Sequence, residues 1–471
     1  MTGVIAKHEF ARLWKDRRLL LLSGVLLVLL ITSLVTATQN IGALRAERLE
    51  AQEASRRRWL EQIPRNPHVA AHFGNFAFRI QTPLSLFDDG LDSYTGTYVY
   101  LEPHKQNDIK FSQAQEATSI GRFSHFTPAF ILQTLLPLLI IFLCFASVTK
   151  EKEDDTLRLL LLQGASMRQV VLGKVLGNFG AIALLMILFF VISGVALAGL
   201  AGGNASVWPA LLLLFGAYFA YAFVFTVVAI VISAHSRSSR ASLMKLLGIW
   251  ILACIIVPKI AANLAGNLYQ TPSQFQFNEM VRQDEKNGLD GHNPADSRRN
   301  ALLKQTLAKY GVDTITKLSV NFDAIAMVES EKYTTMVYRK RFGQVEGQFQ
   351  KQNAFCEWIG LADPFQAIQS CSMALCGTDY DHFRQFHAQA EQYRLYFVNT
   401  MNEFMVTHTK TGDWSTSFGR DLYQTIEPFA YHPPPVGWSL ARRPVSFVLL
   451  LFWLAICPLL IHSTRKIPVV Q

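Results

Sequence analysis

The sequence contains no glycine-rich phosphate-binding loop of the G-x-x-x-x-G-K-[ST] type, so we do not expect the chain to bind ATP by itself. Gly173-Lys174 is only a fragment of that motif, because no glycine-rich loop precedes it. The H-E-x-x-H pattern of zinc hydrolases and the G-x-S-x-G turn of serine hydrolases are also absent. We therefore expect neither a catalytic residue nor a cofactor in this polypeptide.

Cysteine is scarce, with 6 residues, and its spacing matches no zinc-binding pattern, so no metal ligands are predicted. Cys356, Cys371 and Cys376 lie in a long polar segment. One disulfide among them is compatible with an oxidising compartment, but the sequence does not indicate which pair would form it.

Charge is also scarce: 17% of residues are charged, whereas 50% are hydrophobic, and the mean hydropathy is +0.20. This composition is typical of an integral membrane protein. Apolar runs long enough to span a bilayer occur at residues 19–38, 130–148, 175–200, 207–234, 246–265 and 445–462. We predict a mainly α membrane protein with six transmembrane helices and both termini on one side.

The excess positive charge lies entirely on one predicted side of the membrane. The termini and the two short connections, 149–174 and 235–245, hold 15 Lys+Arg against 6 Asp+Glu. The long segments 39–129 and 266–444 are each balanced to within one charge. The short connections and the C-terminal tail, 463–471, are therefore predicted to be cytoplasmic. A nucleic-acid partner is not needed to explain the pI of about 9.2.

The first eighteen residues, 1–18, are predicted to form an amphipathic helix on the cytoplasmic membrane surface. Ala6, Phe10, Leu13 and Trp14 share one helical face, with basic residues around it. A secretory signal peptide is the alternative, but the apolar run is long and five more spans follow. We expect a retained anchor.

The two long segments are predicted to fold together as one mainly helical extracytoplasmic domain, because the first is too short for a core of its own. Segment 39–129 begins as a polar continuation of the first span and contains TYVYLEP, which indicates a strand. Segment 266–444 shows helical patterns over 296–310, 319–359 and 378–409. His382 and His387 are interpreted as polar positions on the last of these helices.

Between the second and third spans lies a charged, amphipathic insert, residues 149–174. Its acidic side chains cluster where a helix is expected to begin, followed by a leucine run that Gly164 should end. Ser166 is predicted to cap a second helix that carries Arg168 and Lys174 at the membrane interface. Glycines of the third span, including Gly177 and Gly180, are expected to allow close packing of the third and fourth spans.

The order of residues in this insert resembles the first cytoplasmic loop of ABC transporter permeases of the type-2 exporter class. The shared pattern is E-x-E, two residues, T-L, a leucine run, a small break, a basic residue and V-L-G-K. In that family the segment is the coupling helix, which docks in a groove of the ATPase subunit. The resemblance assigns ATPase coupling to Glu151, Glu153, Asp154, Asp155, Thr156 and Leu157. The family usually has Gly before the Thr and Pro after the leucine run, where this sequence has Asp155 and Gly164.

The stretches IVPKIAANL, SMALCGTDYDHF and EQYRLYFVNTMN resemble the subset of these permeases with a large periplasmic domain between the fifth and sixth spans. The resemblance implies a permease of the bacterial inner membrane, in contact with lipid, that acts as an exporter or mechanical transmitter. Its expected partners are cytoplasmic ATPase subunits, which bind ATP and Mg²⁺, and a second permease, identical or related. A periplasmic partner is compatible with the outer domain.

Two other interpretations remain open. The chain could be a membrane-anchored periplasmic interaction protein without transport activity, in which case the acidic insert has no cytoplasmic partner. It could also be a membrane-bound enzyme, although it lacks a recognisable set of catalytic residues. The cargo cannot be inferred from the sequence.

Overall fold

The computed structural model describes residues 1–108, 126–203, 205–289 and 295–466. Over these residues the chain is mainly helical, as predicted. Six of the described helices are long and apolar enough to cross a membrane. They are called spans 1 to 6: Leu20–Glu61, Pro128–Glu153, Met167–Ala201, Val207–His235, Ser239–Leu268 and Pro444–Ser463.

Local sequence explains how several spans begin and bend. The Ser166 hydroxyl accepts a hydrogen bond from the Gln169 backbone N–H, and the Gln169 side chain accepts one from the Ser166 N–H, which confirms the predicted cap of span 3. Spans 2 and 5 each contain a π-helical turn, Ile131–Leu135 and Leu252–Ile256. Each turn lies just before a proline, Pro137 or Pro258. Proline cannot donate a backbone hydrogen bond, and its ring crowds the preceding helical turn, so the wider π-helical turn accommodates it.

Span 4 lies in the centre of the membrane helices and packs against spans 2, 3 and 6. Its Tyr218 and Tyr221 are completely buried. Phe179 of span 3 lies against Phe219 and Phe223 of span 4, with ring centroids 4.8 and 5.1 Å apart. The aromatic residues of this span therefore pack between helices.

The N-terminal helix, Thr2–Lys15, packs along span 3, and Glu9 and Leu13 are buried in this contact. Gly177 makes it possible, because a Cβ there would lie 2.6 Å from the Ala6 carbonyl oxygen. The prediction that Gly177 and Gly180 serve contacts with span 4 is wrong, since both face the N-terminal helix. The helix is thus part of the protein core as well as amphipathic.

The described residues of the two long segments, 39–108 and 269–443, form what we call the outer body. Its strands β1 (Asn75–Phe78) and β2 (Tyr98–Leu101) pair antiparallel, which confirms the strand predicted in TYVYLEP. Three predicted helices are confirmed within one to three residues, and the longest of those that were not predicted are Gln274–Asn287 and Pro364–Cys376. The helices of the outer body are Pro67–His72, Gln274–Asn287, Ala295–Tyr310, Phe322–Ile359, Pro364–Cys376, Tyr380–His408, Arg420–Gln424 and Val436–Arg442.

The helix of span 1 begins at Arg17 and continues to Glu61. Its last turns belong to the first long segment and contact residues of the second. The Trp59 indole N–H donates to the Tyr423 carbonyl at 2.9 Å, and the ring lies in a cluster with Phe397 and Met401. The Arg56 guanidinium donates to the Ile426 carbonyl at 2.6 Å. The first segment therefore supplies part of the core around which the second one folds.

Several polar and sulfur-containing residues of the outer body are buried. His382 and His387 lie on the predicted helix, but both are buried, and His382 Nδ1 lies 2.6 Å from Asp379 Oδ1. All six cysteines fall within the described residues, and none forms a disulfide there. Cys371 and Cys376 are fully buried on helix Pro364–Cys376.

Candidate functional site

The acidic stretch of the insert separates two helices; the prediction that it begins one helix is wrong. Span 2 continues to Glu153, and a short insert helix runs from Thr156 to Leu162. Between them Asp155 adopts φ +57°, a left-handed conformation that turns the chain. Glu151 and Glu153 therefore lie in the last turn of span 2, where the helix dipole disfavours negative charge, so their partners must compensate.

Glu151 is part of a buried ionic group that joins three helices. Lys174 of span 3 is completely buried, and its Nζ lies 2.5 Å from both Glu151 Oε1 and Glu9 Oε1. Arg12 contacts the other oxygen of Glu9 at 2.9 Å, so two cations balance two carboxylates. Lys174 was predicted to extend to the membrane interface, but its side chain is instead enclosed by the protein. It holds the N-terminal helix against spans 2 and 3.

The end of span 2 is also attached to the connection between spans 4 and 5. The Glu153 carboxylate accepts hydrogen bonds from the Ser239 backbone N–H at 2.7 Å and from its hydroxyl at 2.9 Å. A carboxylate at the first turn of span 5 is favourable because that end of the helix dipole is positive. The Lys152 Nζ donates to the carbonyls of Ala234 and Ser236 at the end of span 4. These contacts make the base of the insert part of the helix framework.

The insert helix presents one exposed face to the surroundings. Leu157, expected to pack into a partner, is instead buried in this chain with 3% of its surface exposed. Leu159 and Leu162 are 59% and 76% exposed. Spacing of three and four residues places these two leucines and Arg158 on one helical face, and the exposed Asp155 comes directly before the helix. We call this set the docking face: Asp155, Arg158, Leu159 and Leu162.

The six residues assigned to coupling thus divide into two groups. Glu151, Glu153 and Leu157 make contacts within the chain, as described above. The other three are exposed: Asp154 and Asp155 form the turn before the insert helix, and Thr156 is its first residue. The sequence contained a signal for Leu159 and Leu162, namely their i, i+3 spacing. In a run of four leucines, however, periodicity alone could not indicate which ones are buried.

A second buried polar group connects the membrane helices to the outer body. Gln133 of span 2 donates to the Tyr218 hydroxyl of span 4 at 2.9 Å, and that hydroxyl lies 2.8 Å from the Ser372 hydroxyl. Ser372 in turn donates to Asp88 Oδ2 at 2.5 Å. Burial raises the pKa of Asp88 to about 6, although the Ser372 hydrogen bond opposes this shift. Sequence spacing gave no sign of this group, because its members come from four separate segments.

Comparison with known families gives two adjoining matches. Residues 106–277 match the ABC-2 family transporter protein, and residues 274–432 match a domain of unknown function, DUF3526. The first match contains spans 2 to 5 and the insert, and the second covers much of the outer body. A search of curated proteins gives no match. The predicted resemblance to type-2 ABC permeases is therefore confirmed, and the match supports a multi-pass permease subunit of an ABC transporter.

Proposed function

We propose that this protein is the permease subunit of a bacterial ABC transporter and that separate ATPase subunits drive it through the docking face. The observation that carries the proposal is the exposure of Leu159 and Leu162 on a helix whose base is fixed to the membrane spans. Burying a leucine side chain contributes about 1.5–3 kcal/mol, so two such residues could anchor a partner. Asp155 and Arg158 would flank them and orient the contact through charge.

The buried contacts supply a route by which movement of an ATPase would reach the membrane helices. A displacement of the insert helix would act on spans 2 and 3 through Lys174. It would act on spans 4 and 5 through Lys152 and Glu153, whose partners lie at the end of span 4 and at the start of span 5. The outer body would respond because Ser372 links Asp88 to Tyr218. Packed helices transmit such displacements because they slide as units and deform little internally.

The rest of the proposal follows from charge and family analogy. The short connections would face the cytoplasm of the bacterial cell, and the outer body would be periplasmic. Two permeases, identical or related, would assemble with two ATPase subunits that bind ATP and Mg²⁺. The complex would act as an exporter or as a mechanical transmitter to a periplasmic partner.

Co-purification of an ABC ATPase with the full chain provides the test. Leu159→Asp and Leu162→Asp should each weaken its retention at least about tenfold, because a buried charge would replace an apolar anchor. Ile63→Asp is the matched control, since Ile63 is also an exposed aliphatic residue but lies on the outer body. The control variant should retain the ATPase fully.

The same experiment distinguishes the alternatives. Undiminished ATPase binding and turnover in both leucine variants would contradict coupling through the docking face. If no ATPase co-purifies with the wild-type protein, the interpretation as a membrane-anchored interaction protein is favoured. The orientation has its own test: a cysteine introduced at Arg237 should not react with an impermeant reagent applied from outside. Labelling there would contradict the six-span topology.

A further inference from the structure

Three histidines converge on one point at the surface of the outer body, far from the docking face in the chain. His68 and His72 lie one turn apart on helix Pro67–His72, and His104 follows strand β2. The Nε2 atom of His68 lies 3.1 Å from Nε2 of His72 and 3.2 Å from Nε2 of His104. Tetrahedral coordination with metal–nitrogen bonds of about 2.0–2.1 Å requires ligand separations of about 3.3 Å. These two separations are already close to that value, and all three ligand atoms lie within 4.8 Å of one another.

The hydrogen bonds on the far side of two rings determine which nitrogens carry lone pairs. His68 Nδ1 donates to the Asn402 side-chain oxygen at 2.9 Å, so its Nε2 is the acceptor nitrogen of a neutral ring. His104 Nδ1 lies 2.7 Å from the Glu331 carboxylate, and in the neutral ring a hydrogen bond donated there leaves the Nε2 lone pair facing that of His68. His72 can donate a proton to only one of these two nitrogens. A single cation at the centre would satisfy all three.

The residues behind the rings are those expected of a metal site. A carboxylate or carbonyl oxygen that accepts from the outer nitrogen of a histidine ligand fixes its tautomer and orientation. Glu331 performs this role for His104, and it also accepts the His104 backbone N–H at 2.5 Å. Arg394 holds the buried Glu331 in place at 3.0 Å.

The backbone is also specialised at this position. His104 adopts φ +64°, one of two non-glycine residues in the described part of the chain with a positive φ. Such strained conformations persist where surrounding contacts hold them, and they are concentrated at functional sites. Helix Pro67–His72 is rigid for a different reason, because Ala70 and Ala71 are fully buried against the core that contains Tyr423. Both halves of the cluster are thus held in position.

We propose that His68, His72 and His104 bind one divalent first-row transition-metal ion, such as Zn²⁺ or Cu²⁺, with a coordination position open to solvent. Three neutral imidazoles favour these borderline ions over Mg²⁺ or Ca²⁺, which prefer oxygen ligands. The site faces outward because the side chain of His104 is 40% exposed. Cysteine spacing predicted no metal site, whereas the H-x-x-x-H pattern of His68 and His72 is the sequence signal for this one. This inference does not depend on the proposed function.

The test uses the full chain in detergent, purified with a tag that contains no histidine and stripped with a chelator. Zn²⁺ binding is measured by calorimetry, and Co²⁺ is added separately because its visible absorption reports coordination geometry. We expect one ion per chain and no heat with Mg²⁺. His72→Ala and His104→Ala should weaken binding more than 100-fold, whereas Glu331→Gln should weaken it about 10- to 100-fold and retain a tetrahedral Co²⁺ spectrum. His432→Ala, at an exposed position on the same body, is the matched control and should bind normally.

His72 and His104 are preferred to His68 for these substitutions because they lie at the exposed side of the cluster. Their variants should therefore fold, which size-exclusion chromatography and circular dichroism check. Stoichiometric binding that is lost in both histidine variants and kept in His432→Ala supports the site. Absence of binding to the wild-type protein, or binding that survives both substitutions, overturns it.

Discussion

Replacing Lys174 with methionine should destabilise the membrane helices more than any single surface substitution. Methionine has nearly the same length as lysine and no charge, so it preserves packing while leaving Glu9 and Glu151 without their shared cation. Glu9 keeps Arg12 at 2.9 Å, whereas the described ion pair of Glu151 is the one with Lys174. The loss therefore falls mainly on Glu151, whose side chain is only 21% exposed.

The size of the effect follows from that burial. Removing one partner of a buried ion pair typically costs about 3–5 kcal/mol, because the remaining charge is left without compensation. Partial access of Glu151 to water favours the lower end, about 3 kcal/mol. Neutralising the orphaned carboxylate in Lys174→Met/Glu151→Gln should restore at least about 1 kcal/mol of this loss, since residues in direct contact are not additive.

The free energy of unfolding is measured by titrating the detergent-solubilised protein with a denaturing detergent and following tryptophan fluorescence. Glu151→Gln alone completes the double-mutant cycle. If Lys174→Met lies within about 0.5 kcal/mol of wild type, the group is not a buried ionic link. If the double variant is as unstable as the sum of the two single variants, the contact between Glu151 and Lys174 is refuted.

Two further predictions concern packing and pH. Gly177→Ala should cost about 1–3 kcal/mol and increase hydrogen exchange of residues 2–15, because the new Cβ would overlap the backbone of the N-terminal helix. Gly180→Ala, whose Cβ would meet only the Phe10 ring at 3.4 Å, is the control that should leave exchange unchanged. The pKa of Asp88 is higher in the folded chain, about 6, than its ordinary value of 3.8, so its contribution to stability is present at low pH and is lost as pH rises from about 4 to 6. Asp88→Asn should reduce the change in the free energy of unfolding between about pH 4 and 6 by up to about 3 kcal/mol. If the pH profile of this free energy is the same in the variant and the wild type, the burial of Asp88 is contradicted.

Much of the architecture could be predicted from local patterns. Six apolar runs identified the six spans because a bilayer requires about twenty apolar residues for each helix. Ser166 and Gly164 marked a helix start and a chain turn because caps depend on a few neighbouring residues. The helix Phe322–Ile359 was predicted within three residues because no breaker interrupts it. These features depend on residues that are close in the chain.

The partners of charged residues could not be predicted in this way. Glu151 and Glu153 appeared to be equivalent members of one acidic cluster, yet one contacts Lys174 and the other contacts Ser239. Their side chains point in different directions because span 2 continues to Glu153 before the chain turns at Asp155. Composition indicates that charges are present, but only the packing of helices determines which of them are buried together.

The sequence by itself determined the membrane class, the number of spans, the bias of positive charge towards the short connections and the position of the insert. Each of these follows from the hydrophobicity or charge of contiguous residues. The tertiary structure decided that Leu159 and Leu162 face outward while Leu157 does not, and that His104 joins His68 and His72. Both results depend on contacts between segments far apart in the chain, since burial and ligand geometry are set by the neighbours that folding brings together.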